Sequence, residues 1–426
     1  MTNIKTLNQQ TIISKNFLIY GMGLTGRSVL SFFKRKKIKN IRIVDDNIKK
    51  YTLNSKNFSK IFNETDFIVI SPGINPTKSR FKKLLNINKK KILTDLDLFS
   101  IFYPYNELFM ITGTNGKSTT CKMLQHILNL NKKKVFLGGN IGKPILDINP
   151  EKKSKIIIEA SSFQLAYSKM IKPKHAILLN ISNDHLDWHE NLKNYRNAKF
   201  KIFSKQKESD FAYLSKNKLI NHFKTKRFKS KLIKIDEKYI NNISYKNLNY
   251  LPILKNFSFV YYILKKLKMR DEIIKKGIKT FKGLEHRYEI FLKKKNNIFI
   301  NDSKATSFDS TKHALAANKN IYWIVGGIKK KNDKINISKL KKNINEAFII
   351  GKDTDYFKKV LKGKVKYSLS YNLKKAIKDI FFKLDDKKEN IILFSPACAS
   401  FDQFKNFEKR GRVFKKYVKI YAKKYL

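Results

Sequence analysis

Gly113-Thr114-Asn115-Gly116-Lys117-Ser118 decides the reading of this chain. The run follows the apolar stretch Leu108-Phe109-Met110-Ile111. It precedes a segment in which Cys121, Leu124, Ile127 and Leu128 fall on one helical stripe. Strand, loop and helix in that order form the setting in which a backbone cradles phosphate. Two glycines let the loop curl so that its N–H groups face an anion. The following helix adds the positive end of its dipole. Lys117 has the reach for β- and γ-phosphates, and the Ser118 hydroxyl suits Mg²⁺. The match is to the shortened Gly-x-x-Gly-Lys-Ser form, because the first glycine of the longer pattern would fall at Ile111. ATP binding and use are expected.

Apolar runs continue on both sides of this loop. Strands are expected at 16–20, 41–44, 67–70, 108–112, 134–137, 155–158 and 175–179, then at 298–301, 321–325, 346–350 and 391–394. Helical stretches alternate with them, which predicts parallel α/β sheets. The strands fall into three clusters, giving expected domains 1–96, 97–283 and 284–426, with an irregular Lys-rich stretch over 205–250. A chain of 426 residues accommodates two or three domains.

Composition narrows the class. No run approaches a membrane span, and the N-terminus lacks a signal-peptide core, so no integral membrane association is expected. The two cysteines, Cys121 and Cys398, lie in apolar segments, which fits a cytoplasmic protein rather than a disulfide scaffold. Lys and Arg number 92 against 33 acids, a net charge of +59. Nucleic acid or an anionic surface is one reading. However, the lysines are spread along the chain, as in 216–238 and 329–342, and Asn, Ile, Phe and Tyr are abundant too. These are the residues of A/T-rich codons, so no specific nucleic-acid partner is expected.

The first cluster carries Gly21-Met22-Gly23-Leu24-Thr25-Gly26 directly after a strand, and Asp45 and Asp46 end the next one. This is a dinucleotide-type fingerprint. NAD, a UDP-type nucleotide and a purely structural turn all remain open at this point. Ser71-Pro72-Gly73-Ile74 follows a third strand, at the end where open α/β sheets bind ligands. In the second cluster, Glu159-Ala160-Ser161-Ser162-Phe163-Gln164-Leu165 follows one strand and Asn180-Ile181-Ser182-Asn183-Asp184-His185-Leu186-Asp187 another. Glu159 and His185 thereby reach the sheet edge expected to hold the phosphate loop, and both are metal-binding candidates.

Taken in order, these motifs resemble the Mur ligases. The third cluster sharpens the resemblance toward the D-glutamate-adding branch. It holds Glu285-His286-Arg287, Asn301-Asp302-Ser303-Lys304-Ala305-Thr306 and Ser395-Pro396-Ala397-Cys398-Ala399-Ser400-Phe401-Asp402-Gln403-Phe404. The likeness runs from Gly21 to Phe414. It implies a Rossmann-like N-terminal domain for a UDP substrate rather than NAD, a central P-loop ATPase-type domain, and a Rossmann-like C-terminal domain for the amino acid. Sister ligases and folylpolyglutamate synthases carry other acceptor signatures.

The resemblance also implies roles. Gly23, Leu24, Thr25, Asp45, Asp46, Ser71, Gly73 and Asn140 would meet UDP-N-acetylmuramoyl-L-alanine. Gly113 to Thr119, Asn256, Arg287 and Asp302 would meet ATP. Ser118, Glu159 and His185 would hold Mg²⁺, with two ions expected. Lys199 matches a lysine that the family carbamylates and would then also bind metal. Lys304, Thr306, Lys330, Ser400, Phe401 and Phe407 would form the D-glutamate pocket. Lys330 is flanked by Lys329 and Lys331, any of which could be the ligand. The implied chemistry is phosphorylation of the substrate carboxylate to an acyl phosphate, then attack by the amine. Lys117, Glu159, His185 and Lys199 would be its catalytic residues, and the enzyme is expected to be a monomer. Two places depart from the family pattern. Gly326-Gly327 is followed by Ile328 where an acid is usual, and the adenine-side segment Lys255-Asn256-Phe257-Ser258-Phe259 has Phe259 where a second Asn is usual.

Overall fold

The computed structural model describes residues 7–51, 58–131, 134–236, 251–329 and 335–426. It contains three sheets. The first is four-stranded, with β1 (Phe17–Tyr20), β2 (Ile41–Val44), β3 (Phe67–Ile70) and β4 (Ile92–Leu93) in the order β2-β1-β3-β4, all parallel. Every residue of β1 is buried, because helices cover both faces. Phe17 and Ile19 enter one apolar cluster, and Leu18 and Tyr20 enter another.

The second sheet is six-stranded and parallel. It comprises β5 (Glu107–Thr112), β6 (Val135–Gly139), β7 (Lys155–Glu159), β8 (His175–Leu178), β9 (Phe211–Ser215) and β10 (Lys231–Ile235) in the order β10-β9-β8-β5-β7-β6. The helix Lys117–Leu130 leaves the loop after β5 and buries Cys121, Leu124, Ile127 and Leu128, the stripe read from sequence. Each fully buried Leu or Ile of this kind contributes about 1.5–3 kcal/mol. One apolar core containing Phe32, Phe102 and Met110 underlies both sheets.

The third sheet has β11 (Glu289–Lys294), β12 (Asn297–Asn301), β13 (Ile321–Gly326), β14 (Ile344–Ile350), β15 (Tyr367–Tyr371) and β16 (Asn390–Phe394) in the order β11-β12-β16-β13-β14-β15. By packing, Met1–Ser244 with Lys255–Phe281 form one compact unit, and Tyr245–Leu254 with Lys282–Leu426 form another.

Two expectations need correction. The stretch expected to be irregular over 205–250 is regular in its described part, 205–236, which holds β9, the helix Lys218–Thr225 and β10, while 237–250 lie outside the described residues. Lysine hid it, because Lys231 and Lys234 lie on the exposed positions of a strand at the sheet edge and dilute its apolar pattern. The third sheet is also not wholly parallel, since β11 pairs antiparallel with β12 through a tight hairpin. Its half-exposed residues and short turn permit the reversal, which a fully buried crossover strand would not.

Candidate active site

The phosphate loop lies at the carboxyl end of β5, in the middle of the second sheet. Gly113 (φ 155°) and Gly116 (φ 88°) both take positive φ, and Gly116 opens the helix Lys117–Leu130. A Cβ at Gly116 would come within 2.2 Å of Asn256 Oδ1, so any larger residue would have to displace the Asn256 side chain besides taking a strained angle. Lys117 Nζ donates to the carbonyls of Gly113 and Thr114, both at 2.8 Å. Asn180, at the end of β8, pins the loop from below: its Oδ1 accepts from Asn115 N (2.9 Å) and its Nδ2 donates to Asn115 O (3.0 Å). Thr114 shares a hydrogen bond with the buried Tyr195 hydroxyl (3.0 Å) and accepts from Ser182 N.

Glu159 ends β7 beside this loop and is 2% exposed. Its Oε1 accepts from Asn140 Nδ2 at 3.1 Å, whereas the buried Oε2 has no partner. A buried carboxylate oxygen without a donor is costly unless a cation meets it. Ser118, Glu159 and the phosphates of a nucleotide are the hard oxygen donors that Mg²⁺ takes, so the residues fit the ion. Among the described residues no three of His, Cys, Asp and Glu cluster closely enough to bind a metal by themselves.

Lys199 projects from the helix Leu192–Phe200 into the same place. It is 1% exposed, donates to Gly113 O at 2.9 Å, and lies 4.6 Å from the Tyr195 ring centre. Burial first, and then the neighbouring Lys117 charge, hold its pKa well below the ordinary lysine value. His185 stands in left-handed conformation (φ 54°) at the start of the one-turn helix Leu186–His189. Its ring packs edge-on against Phe163 (4.8 Å) and faces Asp184 (3.5 Å). Asn256 is buried against Gly116, whereas Phe259 is 2% exposed. The position of the usual second Asn is thus given to core packing.

The first sheet presents the fingerprint loop. Gly26, in the first turn of the helix Leu24–Arg35, lies so close to the end of β1 that a Cβ would sit 1.9 Å from Gly21 O. Asp45 accepts from the backbone N–H groups of Met22, Asn47 and Ile48, so its carboxylate shapes the loop itself. Asp46 accepts from the Tyr20 hydroxyl (2.7 Å) and pairs with Arg80 (2.7 Å). Ser71 Oγ donates to Gly21 O at 2.6 Å and ties the β3 loop to the fingerprint. Leu24 and Gly73 are exposed, and Thr25 is half-buried.

The second compact unit gathers the remaining motifs at the carboxyl ends of β12 and β16. Asp302 is buried and accepts from Ser395 Oγ (2.7 Å) and Tyr288 N (3.0 Å). Burial raises its pKa to about 7 against these bonds and the Arg287 charge. Lys304 lies over the Phe407 ring at 3.7 Å. Thr306 is half-buried, Ser400 is buried and Phe401 is 73% exposed. Lys330 and Lys331 lie outside the described residues; Lys329 is exposed, over Tyr356. Sequence reasoning missed Arg410. It is 1% exposed and donates to Ser303 Oγ, Ser303 O and Cys398 O, stitching the two motif loops together. Asn180 and Tyr195 gave only weak signals, a polar residue at a strand end and an aromatic one turn before Lys199. His286, Tyr288 and Ala397 all take positive φ in these loops, a concentration of strain typical of ligand sites.

Three α/β sheets, with a phosphate loop and a buried carboxylate at the carboxyl ends of one of them, are the parts expected of an ATP-dependent ligase of the Mur type. The Mur ligase middle domain model matches residues 111–274. Over 422 residues the chain is 32% identical to a UDP-N-acetylmuramoylalanine–D-glutamate ligase of Aquifex aeolicus, covering 95% of this chain and 99% of that one. A Francisella tularensis ligase of the same name is 34% identical over 415 residues, covering 94% and 95%. The chain therefore belongs to the Mur ligase family, in the branch of the UDP-N-acetylmuramoylalanine–D-glutamate ligases. Solved structures share the fold at lower identity. MurF of Thermotoga maritima in complex with ADP aligns with TM-score 0.59 and 15% identity over 99% of this chain and all of that one. MurC of the same organism aligns with 0.55 and 15% over 95% and 99%.

Proposed function

We propose that this enzyme adds D-glutamate to UDP-N-acetylmuramoyl-L-alanine at the expense of ATP, in peptidoglycan precursor synthesis. The observation that carries the reading is the end-to-end kinship with ligases of that name. The geometry supplies a chemical rationale. A carboxylate and an amine do not condense in water, so the carboxylate is first phosphorylated, and the amine then displaces phosphate from the acyl phosphate. Loop N–H groups and Lys117 hold the phosphates and offset the charge that builds as the phosphoryl group moves. Bound Mg²⁺, two ions in our reading, would be held through Ser118, Glu159 and His185 and would supply further charge neutralisation.

Lys199 fits carbamylation chemically. Carbamate formation needs a neutral amine, and the buried environment favours one. The modified side chain would carry a negative charge beside Lys117 in place of a second positive one. The fingerprint, β3 loop and Asn140 would take the UDP substrate, and the amino acid would lie by Lys304, Thr306, Ser400, Phe401 and Phe407. Lys330 is retained as a ligand on the resemblance alone. We set the domain limits at 1–96, 97–283 and 284–426. We take the enzyme to act as a cytoplasmic monomer, since one chain holds every motif and ATP is its co-substrate. No helix among the described residues is long and apolar enough to cross a membrane.

The test is phosphate release from ATP with UDP-N-acetylmuramoyl-L-alanine, with and without D-glutamate, against L-glutamate and other amino acids. Release requiring both named substrates is expected. Stimulation by another amino acid would move the enzyme to a sister reaction, and stimulation by nucleic acid alone would overturn the reading.

A further inference from the structure

The helix Leu186–His189 is a single turn set between two non-glycine residues with positive φ, His185 (54°) and Glu190 (71°). So short a helix leaves its last carbonyls without intrahelical partners. His185 O accepts from Trp188 N and His189 N, at 3.2 and 3.0 Å. The next carbonyls are taken from outside. Asn75 Nδ2 donates to Trp188 O at 2.8 Å, and Lys78 Nζ donates to Asp187 O. Asn75 and Lys78 belong to the loop after β3, which also carries Ser71 and Gly73. Phe163 against Trp188 (4.9 Å) and Ser162 with His189 Nε2 (2.9 Å) hold the other side of the turn. The segment that positions His185 is therefore capped by the loop assigned to the UDP substrate.

We infer that Asn75 is a positioning residue that couples occupancy of the UDP-substrate loop to the placement of His185, and through it to Mg–ATP binding. The inference rests on the ligase reading above. When the β3 loop is ordered against substrate, its cap on the His185 turn is held, and by linkage each ligand favours the other.

Asn75 also has a local role, and this makes the test sharp. Its Oδ1 accepts from Thr77 N (3.0 Å) and Thr77 Oγ1 (2.9 Å), closing a turn within its own loop. Asn75→Asp keeps the Oδ1 acceptor and turns the donor to Trp188 O into a charged carboxylate oxygen that repels it, whereas Asn75→Ala loses both groups. The affinity of the full-length enzyme for Mg²⁺ with the non-hydrolysable ATP analogue AMP-PNP is measured with and without UDP-N-acetylmuramoyl-L-alanine, beside the KM for each substrate. The wild type should bind the analogue more tightly with the UDP substrate present. Both variants should lose that tightening and show a KM for ATP raised about five- to tenfold, the scale of one hydrogen bond. The KM for D-glutamate should stay unchanged. Asn75→Asp behaving as wild type would reduce Asn75 to a turn residue and overturn the inference, as would a wild type without coupling. A wild type that releases no phosphate with both substrates would instead sink the ligase reading and this inference with it.

Discussion

Lys199 and Lys117 place their side-chain nitrogens on one carbonyl, that of Gly113, at 2.9 and 2.8 Å. Burial penalises the ammonium form of the inner lysine, and the Lys117 charge beside it adds to this, so Lys199 is the lysine held toward its neutral form. Arginine cannot take that form. Lys199→Arg should therefore lose activity by about 10²–10³, the scale of losing a group that organises transition-state charge. With ¹³C-bicarbonate, the wild type should give a carbamate signal that the variant lacks. A signal of equal intensity in both would place the modification elsewhere.

Glu159 presents a buried oxygen with no protein partner. Glu159→Gln preserves shape and removes the charge. Titration of phosphate release with Mg²⁺ should show a requirement shifted at least tenfold upward, with an unchanged melting temperature. An unaltered Mg²⁺ curve would remove Glu159 from the metal site.

Gly116 has both a positive φ and a tight neighbour in Asn256. Gly116→Ala should cost about 1–2 kcal/mol in the loop's conformation. Calorimetry with AMP-PNP should show binding weakened about tenfold or more. Gly142→Ala, at a positive φ with open space around it, controls for strain without a clash.

Arg410 is buried on carbonyls rather than on a carboxylate. Arg410→Ala should destabilise the enzyme by about 2–4 kcal/mol, because two buried carbonyls and a hydroxyl lose their donors. In the fraction that stays folded, the KM for D-glutamate should rise while that for ATP changes little. Equal effects on both would show a general loss of fold rather than displaced motif loops.

Glu107 lies at the opposite end of the second sheet from the phosphate loop. It accepts from His175 Nε2 (3.2 Å) and pairs with Lys155, while His175 Nδ1 meets the Tyr213 hydroxyl (2.9 Å). Burial by itself would raise its pKa, but the His175 and Lys155 hydrogen bonds bring it down to about 2. A depressed carboxylate stabilises the fold above its unfolded value of 4.5, and this stability drains away as pH falls toward 2. Urea unfolding from pH 6 to 2.5 should show this slope in the wild type and a shallower one in Glu107→Gln.

All eleven strands expected from apolar runs are present, and so is the buried stripe behind the phosphate loop, because core-facing residues leave a local periodic trace. What stayed hidden lies at edges and between loops. β10 is masked by Lys231 and Lys234, and β15 reads as polar because Ser368 and Ser370 interrupt its apolar residues. Arg410 could not be recognised, since its partners Ser303 and Cys398 are 107 and 12 residues away, and one more basic residue in a chain with 92 of them carries no signal. Asn75 was invisible for the same reason: its partner Trp188 is 113 residues distant.

Exposed cations lie on several of the outermost strands of the three sheets. Arg42 is exposed on β2, Lys231 and Lys234 on β10, and Lys293 on β11. An open strand edge is a template for another chain, and a protruding cation blocks that pairing by repulsion and by holding water. The lysines that dilute the apolar pattern of such a strand thereby disfavour its edge-to-edge pairing with another sheet.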